Sequence, residues 1–253
     1  MKTALCLLLL SSWTFAMPEG MPNVEVLVNG SGPYRFAVDT GASSSLISTR
    51  IAAALGLKPE YQVRMVTASG ERLIPAGTGT TLAVPGLERQ GTEVLWCDWP
   101  MQDGVDGILG QSFLAGQSYM IDTRRRSVQF GPLSPPDRAT LQPVEWIEGR
   151  MAVLAEGPGG LALRLVVDSG ASHLMLWPKR PIPLIQTGLA FASSHAGQIR
   201  VETGQLSWLR VGHIQLNDIP AGILPGTREE DGLLDTRSFR RVYVLGSQIA
   251  FER

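Results

Sequence analysis

The sequence predicts an all-β protein built from two copies of one lobe, and three observations support this prediction. The chain holds 28 glycines and 17 prolines in 253 residues, and so many turn-forming residues favour short strands over long helices. Apolar residues make up 44% and charged residues 18% of the chain, which is typical of a compact body with a real core. The two halves also share an ordered series of short motifs.

The shared motifs recur at a slowly drifting spacing. The segment FAVDTGAS, which contains Asp39, returns as LVVDSGAS, which contains Asp168, at an offset of 168 − 39 = 129. The segment DGIL that begins at Asp106 returns as the DGLL that begins at Asp231, at an offset of 231 − 106 = 125. This period is too long for a solenoid and indicates two fused copies of one lobe.

The N-terminus has the features of a processing signal. Lys2 precedes an apolar run, and Ala16 ends that run in the small-residue style of a cleavage site. We therefore expect a cleaved signal peptide and a secreted or periplasmic protein. The predicted parts are a signal peptide at 1–16, a first lobe at 17–135, a proline-containing linker at 136–142 and a second lobe at 143–253.

Composition argues against several classes of partner. With 22 basic and 23 acidic residues, the chain lacks the basic excess of a nucleic-acid-binding protein. No apolar stretch reaches the ~20 residues of a membrane span, so we expect no stable membrane insertion. Removal of the signal peptide leaves only Cys97, which we expect to be a buried apolar residue outside any disulfide. The three histidines lack metal-ligand spacing, so we expect neither a metal nor a cofactor.

Each copy contains a hairpin that ends in an aspartate. From Val24 the sequence alternates, turns over Asn29 to Pro33, and runs apolar from Tyr34 into Asp39. In the second copy an equivalent hairpin leads to Asp168. The sequence therefore places one carboxylate at a strand end in each lobe.

A second hairpin is predicted downstream in each copy. Ser69-Gly70 lies between β-type residues, and Ala196-Gly197 occupies its place in the second half at an offset of 127. Each lobe is therefore expected to carry a projecting hairpin.

These motifs together resemble a known family. Asp39-Thr40-Gly41-Ala42-Ser43 with Gly107-Ile108-Leu109-Gly110, and then Asp168-Ser169-Gly170-Ala171-Ser172, resemble the pepsin and retropepsin superfamily of aspartic peptidases in a two-lobed, single-chain form. The resemblance implies two retropepsin-like β lobes, related by a pseudo-twofold axis, with a cleft between them. It also implies that Asp39 and Asp168 are the catalytic pair.

The resemblance gives the flanking residues expected roles. The two hairpins are expected to act as flaps over the cleft, which makes Ser69, Gly70, Ala196 and Gly197 candidates for substrate binding. Beside the aspartates, Gly41 and Gly170 let backbone amides approach the carboxylates, and Thr40 and Ser169 are expected to bond across to the opposite loop.

The expected chemistry follows from placing two carboxyls together. Carboxyls about 3 Å apart cannot both ionise, so one keeps a proton while the other is charged. The charged one would take a proton from a shared water that attacks the peptide carbonyl, and the other would donate to the carbonyl oxygen. We expect an endopeptidase that binds an extended peptide or protein substrate. Because one chain supplies both aspartates, we expect a monomer.

Two alanines suggest a mildly acidic working pH. Pepsin-like members carry a hydroxyl residue after the glycine of each motif, where this chain has Ala42 and Ala171. Loss of a hydrogen bond to the charged carboxylate raises its pKa. We therefore expect activity at mildly rather than strongly acidic pH.

The second lobe departs from the family pattern at one position. Leu233-Leu234 is followed by Asp235, where the first lobe has Gly110. The Asp235 carboxylate could face solvent, or cap a helix that begins at Thr236, or change the pH dependence, or abolish catalysis. The alternative function is thus a catalytically impaired homologue that binds peptides.

The aspartate, Ser-His and glycine motifs each allow another interpretation. Asp-Thr-Gly and Asp-Ser-Gly suit ordinary tight turns. In a structural β domain without a peptide cleft, these motifs would be turns and nothing else. Ser172 and His173 are adjacent and point apart, and the nucleophile motif Gly-x-Ser-x-Gly does not occur. Gly77-Thr78-Gly79 lacks the third glycine of a dinucleotide site.

Overall fold

The computed structural model describes residues 14–15, 20–97, 104–136, 139, 141–194 and 196–253. Apart from residues 14–15, the predicted signal peptide at 1–16 lies outside the described residues, and so does part of the predicted linker at 136–142.

Strands dominate both halves of the chain. The strands of the first half are β1 (Thr14–Phe15), β2 (Asn23–Val28), β3 (Ser31–Val38), β4 (Ser45–Ile47), β5 (Tyr61–Thr67), β6 (Gly70–Val84), β7 (Leu87–Trp96), β8 (Gly107–Leu109), β9 (Ser118–Asp122) and β10 (Ser127–Phe130). Those of the second half are β11 (Gln142–Pro143), β12 (Glu145–Ile147), β13 (Arg150–Gly157), β14 (Leu161–Asp168), β15 (Leu174–Leu176), β16 (Leu184–Ser194), β17 (Gly197–Val211), β18 (Ile214–Ile223), β19 (Gly232–Asp235), β20 (Arg241–Leu245) and β21 (Gln248–Glu252). The helical segments are α1 (Thr49–Ala54), α2 (Gln111–Leu114) and two 3-10 turns, Pro158–Gly160 and Thr236–Ser238.

Each half forms a barrel-like lobe. In the first lobe the strand order is β2-β3-β8-β4-β7-β6, and β2 closes the circle by pairing with β6. In the second lobe the order is β13-β14-β19-β15-β18-β17, and β13 pairs with β17. Strands β5 and β16 extend β6 and β17 into long hairpins. The predicted all-β fold of two lobes is confirmed.

Strand register confirms the internal duplication. In the first lobe β3 runs parallel to β8, with Phe36 opposite Gly107. In the second lobe β14 runs parallel to β19, with Leu165 opposite Gly232. These pairs reproduce the offsets of 129 and 125 found in the sequence, so the repeated motifs occupy the same positions in the two lobes.

A further group of strands joins the lobes. β9 and β20 pair antiparallel, with Ser118 opposite Leu245 and Asp122 opposite Arg241. β10 flanks β9 and β21 flanks β20. The last strands of the chain therefore lie beside strands of the first lobe, and they fix the two lobes to each other.

Burial follows the expected alternation and then departs from it near the lobe junction. Along β14, Leu161 and Leu163 are buried while Ala162 is exposed, but every residue from Leu165 to Asp168 is buried. A strand covered on both faces needs apolar side chains on both. One apolar cluster runs through both lobes and the joining strands, and each of its fully buried large side chains contributes roughly 1.5–3 kcal/mol.

The first hairpin is tighter than the sequence predicted. Only Asn29 and Gly30 form its turn, with φ of 50° and 76°, the left-handed values that a two-residue turn between antiparallel strands requires. Ser31 to Pro33, predicted as part of the turn, belong to β3. Among the described residues, no helix has the length and apolar character needed to cross a membrane.

Candidate active site

Two equivalent strands deliver Asp39 and Asp168 to the junction of the lobes. β3 ends at Val38, and the next amide, that of Asp39, donates to the Leu109 carbonyl at 3.0 Å. β14 ends at Asp168, paired with Asp235 on β19. Both aspartates therefore stand where a buried strand gives way to a loop that faces the other lobe.

Two hydroxyl side chains lock these loops together. Thr40 Oγ1 donates to the Val167 carbonyl at 2.7 Å, and Ser169 Oγ donates to the Val38 carbonyl at 2.7 Å. Each hydroxyl oxygen also accepts from the backbone amide of the other residue, at 3.0 Å in both cases. Both side chains are buried. The predicted hydrogen bonds across the lobes are thus confirmed, and they fix the two aspartate loops in register.

The two glycines allow the aspartates to approach each other. The Gly41 amide donates to Asp39 Oδ1 at 2.9 Å, and the Gly170 amide donates to Asp168 Oδ1 at 2.7 Å. A Cβ on Gly41 would lie 2.5 and 2.7 Å from the two carboxylate oxygens of Asp168. A Cβ on Gly170 would lie 2.8 and 2.9 Å from those of Asp39. Each glycine therefore leaves room for the carboxyl of the opposite lobe.

The carboxyls of Asp39 and Asp168 lie close enough to influence each other's ionisation. Burial raises the pKa of Asp39 well above its usual value, and the neighbouring charge of Asp168 raises it further. Burial also raises the pKa of Asp168, but the amides of Gly170 and Ala171, the carboxyl of Asp39 and the charge of Arg150 oppose this rise. Both pKa values are therefore raised, and the two carboxyls titrate as one pair that shares a proton.

Asp235 lies next to Asp168 in the strand register, but its carboxylate caps a helical turn. Its Oδ1 accepts from the Ser238 amide at 3.0 Å and its Oδ2 from the Ser238 hydroxyl at 2.9 Å. It therefore caps the 3-10 turn Thr236–Ser238, as one of the sequence alternatives proposed. The alternative that this carboxylate faces solvent is wrong, because Asp235 is only 4% exposed. The helix expected to begin at Thr236 is only this 3-10 turn, because it ends at Ser238 and Phe239 already has extended backbone.

Burial gives Asp235 an unusual ionisation. It raises the pKa of this carboxyl to about 6, although the bonds from Ser238 and the charge of Arg237 act in the opposite direction. A third titratable carboxyl is therefore present in the second lobe, committed to a structural hydrogen-bonded cap.

The two projecting hairpins meet at their tips. The tip of the first lies between β5, which ends at Thr67, and β6, which begins at Gly70, and the tip of the second lies between the end of β16 at Ser194 and the start of β17 at Gly197. Ser69 Oγ lies 2.5 Å from Ser194 Oγ, and Ser194 Oγ donates to Thr67 Oγ1 at 2.8 Å. A Cβ on Gly70 would lie 3.7 Å from that of Ala196, whereas one on Gly197 would have nothing within 4 Å. Three of the four candidate flap residues therefore lie at this contact.

The inner face of the first hairpin packs beside the aspartate loop. Val63, Met65 and Ile74 belong to the same apolar cluster as Ala42, the residue after Gly41. Cys97 belongs to this cluster too and is buried, as predicted. The hairpin thus extends from the Asp39 loop to the tip contact.

Sequence reasoning missed three residues of the site. Gln111 is buried, and its Nε2 donates to the Thr40 carbonyl at 2.9 Å. Arg150 begins the strand beside Asp168, and Arg228 donates to the first hairpin. Of these three, only Gln111 could have been found from the sequence, because it directly follows the motif that ends at Gly110.

Features outside the aspartate pair offer no competing site. In the described part of the chain, His, Cys, Asp and Glu side chains form no group of three or more that could hold a metal ion. A cavity of about 280 Å³ lies in the second lobe, lined by residues that include Leu163, Trp177 and Lys179. It does not include either aspartate, and Lys179 is bound there to Asp231 at 2.9 Å.

Comparison with known proteins agrees with this geometry. None of the curated proteins compared with the chain matches it. A model of the aspartyl protease family matches residues 24–113 and again residues 156–236, once in each lobe and each time across the aspartate loop. The chain therefore belongs to the aspartyl protease family.

Proposed function

We propose that the protein is an aspartic endopeptidase, which hydrolyses peptide bonds with a water activated between Asp39 and Asp168. The observation that carries this proposal is the pair of adjacent carboxyls, Asp168 buried and Asp39 partly exposed, whose loops are held together by the crossed hydrogen bonds of Thr40 and Ser169. An ordinary tight turn needs no such bonds between two lobes, whereas two carboxyls that share a proton must be held close together.

The chemistry uses the one proton that the two aspartates share. The charged carboxylate of the pair takes a proton from the bound water, and the water oxygen attacks the carbonyl carbon. The protonated carboxyl of the pair donates its proton to the carbonyl oxygen. The resulting tetrahedral intermediate is neutral. When it collapses, the C–N bond breaks and the proton held by the pair passes to the departing amine nitrogen. One hydroxyl of the intermediate gives its proton to a carboxylate of the pair as the C=O bond of the product acid forms, so the pair again holds one proton.

The substrate is proposed to be an extended peptide. The projecting hairpin β5–β6 supplies a backbone edge, because β5 is the last strand of its sheet, and an extended chain can add to that edge as a strand. The apolar cluster of Val63, Met65 and Ala42 beneath the first hairpin supports binding of apolar side chains.

The pH dependence follows from the ionisation of the pair. Activity requires one carboxyl charged and one protonated, and burial raises the pKa of both. No side-chain hydroxyl is available at Ala42 or Ala171 to lower these pKa values. We therefore expect a rate maximum at mildly acidic pH, and a maximum below about pH 3 would contradict this account.

The direct test is cleavage of a mixed library of unstructured peptides, read by mass spectrometry between pH 3 and 8. The wild-type protein is compared with Asp168→Asn and with Asp218→Asn. Asp218 is an exposed residue of β18 with φ of 51°, which asparagine also tolerates, so it controls for the substitution. Cuts that disappear only in Asp168→Asn support the proposal. Cuts that persist in both variants contradict it.

The alternative is a peptide-binding homologue without turnover, and the departure at Asp235 is the observation that favours it. Against it, the Asp235 carboxylate is engaged by Ser238 and leaves the bonds between the aspartate loops intact. Peptide binding without cuts in the wild type, with cuts gained in Asp235→Gly, would support the alternative.

We also propose that the protein acts as a monomer outside the cytoplasm. Both aspartates come from one chain, and the sequence of residues 1–16 has the pattern of a secretory signal. N-terminal sequencing of the exported protein tests the cleavage site after Ala16.

A further inference from the structure

The tip of the first hairpin is tied to the second lobe by a single arginine. Arg228, in the loop between β18 and β19, donates from Nη2 to the Thr67 carbonyl at 2.9 Å. Thr67 is the last residue of β5. Apart from the contacts between the two tips themselves, this bond joins the hairpin of one lobe to the body of the other.

The arginine is held in place by an aromatic ring. Its guanidinium carbon lies 5.6 Å from the ring centroid of Trp177, within the range of a cation–π contact. Trp177 is itself buried, in an apolar cluster that includes Ala68 from the tip of the first hairpin. The hairpin tip therefore contacts the second lobe twice, by a hydrogen bond at Thr67 and by apolar packing at Ala68.

The equivalent position in the sequence of the first lobe carries a different kind of side chain. Arg228 lies three residues before Asp231, so the offset of 231 − 106 = 125 relates it to Asp103, whose ionised carboxylate has no hydrogen-bond donor. Asp103 lies outside the described residues. The arginine thus makes the two hairpins chemically unequal, although their strands are equivalent.

We propose that Arg228 is a positioning residue, which holds the first hairpin over the aspartate pair and so makes it the better-anchored of the two hairpins. This inference rests on the proposed function, since the hairpin is taken to cover bound peptide. Its role is to favour the closed arrangement of the hairpin, and it takes no part in the proton transfers.

The test compares Arg228→Met with Arg180→Met. Arg180 is a matched control, because it also donates from Nη2 to a backbone carbonyl at 2.9 Å, but its acceptor is Gly160 in the same lobe. Hydrogen exchange of the peptide-free protein is measured for residues 61–84 and for residues 184–211. We expect amides at the first tip to exchange about tenfold faster in Arg228→Met, because a bond to a charged donor is lost, and to be unchanged in Arg180→Met.

The kinetic arm separates positioning from general stability. In Arg228→Met we expect KM to rise about tenfold with kcat changed less than threefold, because closure over bound peptide is weakened while the chemistry is not. A purely structural defect would reduce the amount of folded enzyme, which lowers apparent kcat and leaves KM unchanged. Arg228→Lys, which keeps a cation over Trp177, should lie between wild type and Arg228→Met.

Three results decide whether Arg228 anchors and positions the first hairpin. Unchanged exchange at residues 61–84 in Arg228→Met overturns the anchor. Faster exchange with unchanged KM overturns the positioning role. If the wild-type protein cleaves no peptide, the proposed function fails, and the exchange measurement alone then decides whether Arg228 anchors the hairpin.

Discussion

The two lobes share the same arrangement of strands, but the residue that follows the strand beside the aspartate loop differs between them: Gly110 in the first lobe and Asp235 in the second. In the first lobe Gly110 lies against the loop, and an added Cβ would lie 2.7 Å from the backbone of Ser44 and 2.9 Å from the Ala42 carbonyl. The next amide, that of Gln111, donates to the Ala42 carbonyl at 2.8 Å. Direct backbone contact between two segments thus requires glycine here.

The second lobe replaces backbone contact with a side-chain cap. Asp235 occupies the position of Gly110, and its carboxylate accepts both hydrogen bonds from Ser238. The ladder from Leu165 to Asp168 is nevertheless preserved. The comparison shows that the duplicated ladder fixes the position of the aspartates, whereas the residue after it can be held by more than one kind of contact.

The aspartates also face different charges. The charge of Arg150, at the start of β13, lowers the pKa of Asp168. The equivalent position in the first lobe, 150 − 129 = 21, is the buried and uncharged Met21. Arg150 is paired with Glu148 at 3.0 Å and with Glu230 at 3.1 Å. A pseudo-symmetric pair of carboxyls thus lies in an asymmetric electrostatic field.

Exchanging the closing residues between lobes should give the largest effect. Gly110→Asp places a side chain against backbone and buries a charge, so we expect a loss of at least about 4 kcal/mol in the free energy of unfolding. Asp235→Gly removes only a cap, for roughly a few tenths of a kcal/mol. Urea unfolding of both variants measures the difference. Equal losses of unfolding free energy in the two variants would contradict the difference between the backbone contact at Gly110 and the side-chain cap at Asp235.

The pH dependence of stability should reveal Asp235. Its pKa in the folded protein is about 6, above the ordinary value of 3.8, so the charged form is disfavoured by folding. The stability it contributes is complete below about pH 4 and is lost as the pH rises through about 6, to an extent of about 3 kcal/mol. Asp235→Asn keeps a capping side chain but should lack this loss. Unfolding of both proteins at pH 4 and pH 7 tests the prediction, and parallel curves would count against a buried Asp235.

A methyl group at either active-site glycine should separate the aspartates. We expect Gly41→Ala and Gly170→Ala each to lower kcat about 100-fold, because each Cβ overlaps the opposite carboxyl and a displacement near 1 Å has about this cost. Gly41→Ala should be the more severe, since its Cβ comes closer. Steady-state kinetics on one peptide, with a melting curve for each variant, would detect the difference, and full activity in either would contradict the geometry.

The smallest predicted effect concerns the charge beside Asp168. Replacing Arg150 by methionine, the residue of the first lobe, removes an influence that lowers the pKa of Asp168. The acid limb of the kcat/KM profile should therefore move to higher pH. Because Glu230 is buried and bound to Arg150, the variant is made together with Glu230→Gln, and Glu230→Gln alone is the control. An unshifted acid limb would exclude a role for Arg150 in the ionisation.

Much of this fold was predictable, because duplication left strong local signals. Turn residues such as Asn29-Gly30 and apolar strands ending in Asp39 and Asp168 fixed the hairpins, and the offsets fixed the pairing of the lobes. Arg150 and Arg228 were not predictable. Each depends on a neighbour far away in the chain, and neither position repeats in the other half. Asp235 was noticed as a departure, but its cap on Ser238 depended on a short 3-10 turn that sequence patterns mark poorly.

The central claim is that Asp39 and Asp168 act as one unit, with one half from each lobe. The most direct measurement is kcat for Asp39→Asn, Asp168→Asn and the double variant on one cleaved peptide, with melting curves to confirm folding. Each single variant should lose at least about 1,000-fold, because acid and base depend on the same shared proton, and the double variant should lose little more. Substantial activity in either single variant, or losses that multiply in the double variant, would contradict a shared pair.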